Sequence, residues 1–292
     1  MAVFVAASDE STGKNHLSPF HYIGWIASEP DWYNFFAPAW QSRVLDGPPP
    51  IPYLHVTEMR SRSWREKHGL TELKADDRMY EAASVIEAMG SLMPFKVTID
   101  CSVFRPLFRE HKLRLDTGGT RNLEPDFLAF TAYAYAVLLD LRSNFSDVER
   151  VDFLVENKSD VTKHIHGFYK SLPASLIQMG KPELASLLGE FIPAGKDRVP
   201  LQAADFLAWH IQRAEHKTLE SADRKRLWMI GNRPMFDYNV STQTLTELAR
   251  AYDKVGKENE KNERIRRLQQ NNARSDGRNT RRIKSRIGPR KG

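Results

Sequence analysis

The chain has 292 residues, with 41% hydrophobic and 27% charged side chains and a formal net charge of +6. That is enough material for a buried core in one large α/β domain or two small ones, and it excludes a wholly disordered, collagen-like or repeat-only chain. A single cysteine, Cys101, excludes an intrachain disulfide framework and any zinc site built on several thiolates. No run of about 18 apolar residues is present, so no membrane span is expected. The N-terminus lacks a basic region followed by a long apolar stretch, so a signal peptide is not expected. A reducing, cytoplasmic setting is the expectation.

The charge is uneven. From Lys257 to Gly292 there are thirteen Lys/Arg and four Asp/Glu, a net of +9, which leaves −3 for residues 1–256. With only Ile265, Leu268, Ile283 and Ile287 as larger apolar side chains, the tail cannot offset its own ordering entropy. A helix starting near Thr242 is expected to fray around Gln270, with disorder beyond. Arg266, Arg267, Arg281, Arg282, Lys284 and Arg286 would suit contact with nucleic-acid phosphates through counterion release. A merely solvated tail is the other reading.

In chain order, Ala2–Ser8 is a strand and Phe20–Ser28 a second. Asp31–Leu45 has a helical, aromatic pattern with Asp31 as its N-cap. Gly47-Pro48-Pro49-Pro50 is a rigid break, and Ile51–Met59 reads as an edge strand because of Pro52. Asp76–Met89 is a helix with Met79, Ala82, Ala83, Ile86 and Met89 on one face. Phe95–Val103 is a strand, followed by a loop with Gly118-Gly119. Glu124–Leu141 is a long buried helix and Val151–Asn157 a strand. Val161–Leu172 and Lys181–Leu188 read as helices, Phe191-Ile192 as a short last strand, and Pro200–Ala214 as a helix. Strands pairing first and then joined through helical crossovers predict a mixed α/β sheet flanked by helices. The expected organisation is one α/β domain over residues 1–256 with helical insertions, then the tail over 257–292.

The candidate chemistry is carboxylate. Asp205 sits within the apolar face made by Leu201, Ala204, Ala208 and Trp209, where an unpartnered charge costs several kcal/mol. Asp9 ends the first strand on the face of Val3, Val5 and Ala7, and Glu10 points the other way. Asp100 closes FKVTID and Glu156 closes VDFLVE. If these strands are parallel neighbours, Asp9, Asp100, Glu156 and Asp205 converge, and their repulsion is relieved by a divalent cation. Hard oxygen ligands suit Mg²⁺ or Mn²⁺, and such ions serve phosphodiester hydrolysis. His55 and Glu58 are secondary candidates; they approach each other at i, i+3 if a helix begins there. His164 and His166 read as surface residues, and Cys101 as a buried strand residue. No phosphate-binding loop or dinucleotide fingerprint is present.

Asp9-Glu10-Ser11, the later strand-closing Glu156 and Leu201-Gln202-Ala203-Ala204-Asp205 together resemble the domain of unknown function 3800 family of bacteria and phages. The resemblance would cover roughly residues 1–215. It implies a ribonuclease H-like fold with acidic residues gathered at the centre of its sheet. In that fold the first strand lies beside the fourth and the fifth lies beyond it. On this chain that would put Asp9 on the first strand, Asp100 on the fourth, Glu156 on the fifth and Asp205 on the last helix. Two departures stand out: Thr12 intervenes before Gly13, and Gly195-Lys196-Asp197 stands where the family often has Ser-Lys.

The resulting expectation is a metal-dependent nuclease-like protein. Asp9, Glu156 and Asp205 would hold Mg²⁺ or Mn²⁺, with Asp100 as a fourth catalytic carboxylate. Glu10, Ser11, His55, Glu58, Asn157 and Gln202 would support them, and Glu10, Glu58 or His55 would orient a water. The rival is a non-catalytic protein of the same fold that binds nucleic acid or a partner through its tail. Its acidic cluster would be satisfied internally, with Arg114, Arg121 or Arg198 as partners.

Overall fold

In the computed structural model, residues 2–12, 18–114, 120–157 and 159–250 are described; for Thr12, residues 112–114, 120, 121, 159–161, 163 and 164 only the backbone is. The chain divides into two units, residues 1–241 and 242–292. In the second, residues 242–250 are helical, starting where expected. The tail from 257, with Arg266, Arg267, Arg281, Arg282, Lys284 and Arg286, lies outside the described residues, as does Gly118-Gly119.

The first unit is built in this order. Strands β1 (Ala2–Thr12) and β2 (Phe20–Ser28) lead into a helical stretch in which α1 (Ala37–Trp40) is flanked by wider π-helical turns, Asp31–Phe36 and Gln41–Leu45. Then come α2 (Val56–Arg60), α3 (Arg62–Lys67), α4 (Glu72–Ala88), β3 (Met93–Ile99), α5 (Cys101–Phe108), and the small pair β4 (Lys112–Arg114) and β5 (Thr120–Asn122). Helix α6 (Pro125–Asn144), β6 (Val148–Glu156), α7 (Ser159–Tyr169), α8 (Leu172–Gln178), α9 (Pro182–Ala185), β7 (Leu188–Ala194), α10 (Val199–Glu215), α11 (Ser221–Gly231) and β8 (Phe236–Asn239) complete it.

Six strands form one mixed sheet in the order β7-β6-β1-β2-β3-β8. Strand β2 runs antiparallel to both neighbours, and the other pairings are parallel. The α/β class read from the sequence is therefore observed. Period-two alternation splits β1 between two cores. Val5 and Ala7 join Ile23, Trp25 and Leu154 under α10, α4 and the Trp32–Leu45 stretch. On the other face Tyr22, Phe95 and Phe153 meet Phe130 and Tyr133 of α6. No helix among the described residues is long and apolar enough to cross a membrane.

Five local expectations are corrected. Ile51–Met59 is not a strand: it is an extended loop followed by α2, because the Val56 N–H is taken by Asp205 Oδ2 at 2.9 Å rather than by a neighbouring strand. Strand β3 stops at Ile99, and Asp100 caps α5 by accepting the Ser102 N–H at 2.8 Å. Cys101 is buried, but in the first turn of that helix. The side chain at the start of the Asp31–Leu45 stretch is Ser28, whose Oγ accepts the Asp31 N–H, while Asp31 Oδ2 accepts the Ser28 hydroxyl. Lys181–Leu188 is one short turn of helix and the start of β7.

The sheet order corrects a larger expectation. The strand beside β1 is β6, which carries Glu156, with β7 beyond it; β3, which leads to Asp100, lies on the far side of β2.

Gly24 of β2 stands opposite Ser8 of β1. A Cβ built there would stand 1.9 Å from the Ala7 carbonyl oxygen. Gly24→Ala is expected to lower stability by about 2–3 kcal/mol through overpacking against backbone that cannot swing aside. A urea midpoint equal to wild type would overturn this.

Candidate functional site

Strands β1 and β6 deliver two carboxylates side by side. Ser8 pairs with Val155, so the next residues in register are Asp9 and Glu156. Helix α10 crosses the same face, and the Trp25 indole donates to the Ala203 carbonyl at 3.0 Å, which pins the helix over the sheet. Asp205 follows two residues on. Asp9, Glu156 and Asp205 line one cavity together with Leu54, His55, Lys196, Leu201 and Gln202. It measures about 20 Å³ as traced by the centre of a water-sized group, so it suits water or an ion rather than an organic ligand.

The segment Leu54–Glu58 closes the site from above. Gln202 is buried, and its Oε1 accepts the Trp40 indole at 2.8 Å and the Leu54 N–H at 3.0 Å. Its amide donates to the Asp197 carbonyl at 3.3 Å. Asp205 holds the next residues: Oδ2 takes the Val56 N–H, and Oδ1 lies 3.3 Å from His55 Nε2. His55 Nδ1 is 3.8 Å from Glu58 Oε1, and the Lys196 ammonium donates to the same oxygen at 3.1 Å.

The charges act on one another. Burial, then the charges of Asp9 and Glu156, push the Asp205 carboxyl up to about 8 against the opposing Val56 N–H and Lys196. Burial and the Lys196 charge lower His55, so its imidazole is neutral at neutral pH and accepts a proton. Burial works against the charge of Glu58, but the Tyr53 hydroxyl, Lys196 and His55 outweigh it and hold the carboxyl below its usual value. Burial likewise opposes the Lys196 charge, and Glu58 outweighs it.

Three of the four carboxylates expected to meet therefore do so; Asp100 does not. Asp9 pairs with Ile23 and Ile23 with Lys96, so Asp100 stands two strands across and four residues beyond. That is on the order of 15 Å from Asp9. Asp100 is exposed and serves as a helix cap.

Among the supporting residues, His55, Glu58 and Gln202 are at the site. Glu10 lines a second small recess that shares Asp9 and Glu156 with the site, along with Ser8, Tyr22 and Thr162. Ser11 is buried farther along β1. Asn157 is exposed, and its N–H closes onto the Ala194 carbonyl at 2.8 Å. His166 is exposed and stacks on Phe191, while the His164 side chain lies outside the described ones. The Arg114 and Arg121 side chains also lie outside them. Arg198 is exposed at the start of α10 and does not line the cavity. The cation that does is Lys196, to which sequence reasoning gave no role; its signal was the Gly195-Lys196-Asp197 segment noted just ahead of α10.

Three carboxylates, hard oxygen donors, face one small cavity, and burial together with the charges of Asp9 and Glu156 keeps a proton on Asp205. Among the described residues, no three His, Cys, Asp or Glu side chains stand close enough together to ligate one ion as they lie. Comparison with protein-family models, with curated proteins and with solved structures found no match for this chain.

Proposed function

We propose that the protein is a divalent-metal-dependent phosphodiesterase of the nuclease type on a ribonuclease H-like sheet, within the domain of unknown function 3800 family that its motifs resemble. The observation that carries this reading is the meeting of Asp9, Glu156 and Asp205 from β1, β6 and α10 at one cavity. The sheet order supports it as well. With β6 taken as the fourth strand and β7 as the fifth, the first lies beside the fourth and the fifth lies beyond.

Asp9, Glu156 and Asp205 would hold Mg²⁺ or Mn²⁺, their side chains closing inward. The bound ion supplies Lewis acidity and charge neutralisation to a phosphodiester. The chain's own residues do the rest. Neutral His55, in contact with Asp205, is placed to take a proton from an attacking water. Lys196, steadied by Glu58, brings a positive charge to a cavity that also holds three carboxylates, where a phosphate needs one.

A second reading is a non-catalytic protein of the same fold. The presence of Lys196 and His55 against the carboxylates favours it, since both can partner the acidic charge without a metal.

Calorimetric titration of Mn²⁺ into metal-free wild type and Asp205→Asn separates the two. The nuclease reading expects binding in the wild type that is at least about ten-fold weaker in the variant. Equal affinity in both proteins, or no binding in either, selects the non-catalytic reading.

A further inference from the structure

Beside the cavity stands a feature the carboxylate chemistry does not use. Three rings form a row: the Tyr53 and Trp64 centroids are 6.2 Å apart at 51°, and those of Trp64 and His68 are 4.2 Å apart at 38°. All three residues are partly exposed. Trp64 also packs against the main core, so the row is anchored rather than loose. It joins the site through Glu58, which the Tyr53 hydroxyl and Lys196 both help keep charged.

The row is set in basic surface. Over residues 56–68, Arg60, Arg62, Arg65 and Lys67 stand against Glu58 and Glu66, a net of +2 where residues 1–256 as a whole carry −3. Arg62 is 86% exposed, paired one turn along with Glu66, and Lys67 is exposed as well.

We propose that Tyr53, Trp64 and His68 form a stacking ledge that holds single-stranded nucleic acid beside the carboxylate cavity, with its phosphates met by Lys196, Arg62 and Lys67. This rests on the nuclease reading and names its substrate class. Unpaired bases offer π-faces to protein rings, and such stacking tolerates any sequence. In a duplex the faces are already stacked on one another, so a row of rings has little to receive. A carboxylate cavity by itself repels phosphate. Cations along the approach are what would draw the strand in, and here they flank the rings.

The test uses the full chain in EDTA, so that no turnover occurs, at about 200 mM salt, where long-range attraction is largely screened. Fluorescence anisotropy follows a labelled twelve-nucleotide thymidine strand, and separately its duplex with adenosine. Wild type binds the single strand more tightly than the duplex. Trp64→Ala weakens single-strand binding about ten-fold, and Trp64→Phe keeps most of it. Arg62→Glu with Lys67→Glu lowers affinity and flattens the salt dependence by about two ionic contacts. Both residues are exposed, so this pair carries the test if Trp64→Ala unfolds.

The ledge is overturned if wild type does not bind the single strand. It is also overturned if the duplex binds as tightly, or if neither Trp64→Ala nor the charge-reversed pair changes affinity. The two readings fail separately. A Mn²⁺ site lost in Asp205→Asn with silent ledge variants removes the ledge and leaves the nuclease. Ledge-dependent binding without a Mn²⁺ site does the reverse.

Discussion

Metal-free Asp205→Asn is expected to melt on the order of 5–10 °C above wild type at pH 8, with the difference shrinking to almost nothing near pH 4. The Asp205 carboxyl moves from 3.8 to about 8 on folding, through burial first and then through Asp9 and Glu156. Between those two pH values the folded state holds a proton that the unfolded state has released. Wild-type stability therefore falls as the pH rises through this window. The full shift corresponds to about 6 kcal/mol against the charged form, and part of it is enough for the expected rise. Asn is neutral throughout and keeps an oxygen for the Val56 N–H. Mn²⁺ closes the gap: at a hundred times its dissociation constant it adds about 2.7 kcal/mol to wild type and little to the variant. Scanning calorimetry at pH 4, 6 and 8, in EDTA and in Mn²⁺, measures both effects. A variant less stable than wild type at pH 8 in EDTA would mean that Asp205 is a well-paired structural carboxylate.

Asp223→Ala is expected to act in the opposite direction, lowering stability by about 3–5 kcal/mol. Asp223 is 1% exposed on α11. Its Oδ2 receives Arg60 Nη2 at 2.6 Å, its Oδ1 receives Arg226 Nη1 at 2.8 Å, and His210 Nε2 lies 3.9 Å from Oδ1. Arg226 is itself 2% exposed and reaches the Asp76 carbonyl at 3.1 Å. Removing the carboxylate takes from both guanidinium groups their shared buried partner, leaving Arg226 with the Asp76 carboxylate at 2.8 Å and Arg60 with Glu220 at 3.6 Å. The damage reaches the site as well, because Arg60 ends α2, the helix that carries Glu58 and follows His55. Urea unfolding of Asp223→Ala, Arg60→Ala and the double variant gives the coupling directly. A double variant as costly as the sum of the singles would show that the pair does not act as a unit.

The parts of the site that depend on short-range pattern were legible in the sequence. Alternation along Val3, Val5, Ala7 and Asp9 put Asp9 on the core side of β1. The apolar surroundings of Asp205 marked it as a carboxylate needing company, and Glu156 closes its strand as read. What was not legible depends on long-range pairing. The chain pattern does not tell which strand lies beside β1, so Glu156 was placed one strand too far and Asp100 one strand too near. Asp100 shows a second difficulty. A β-rich run hid a local cap, although Asp100 and Ser102 have the spacing for one. Ile51–Met59 reads as an edge strand, and the outcome turned on Asp205, 149 residues from Val56, capturing the Val56 N–H. Lys196 lay in a loop, where no periodicity could mark it.

Among the described residues, the order β7-β6-β1-β2-β3-β8 leaves two open rims. Any rim of unpaired N–H and C=O groups is a template on which another chain can grow cross-chain pairing and aggregate. Along β7 the exposed positions are Glu190 and Pro193, a charge and a residue without an N–H to give. At the other rim β8 has only four residues, and its Asp237 is held by Lys96 at 2.9 Å. Both rims are thus poor templates, and the carboxylate-bearing strands β1 and β6 lie inside them, shielded from the fibre-forming encounters that a longer, apolar border would invite.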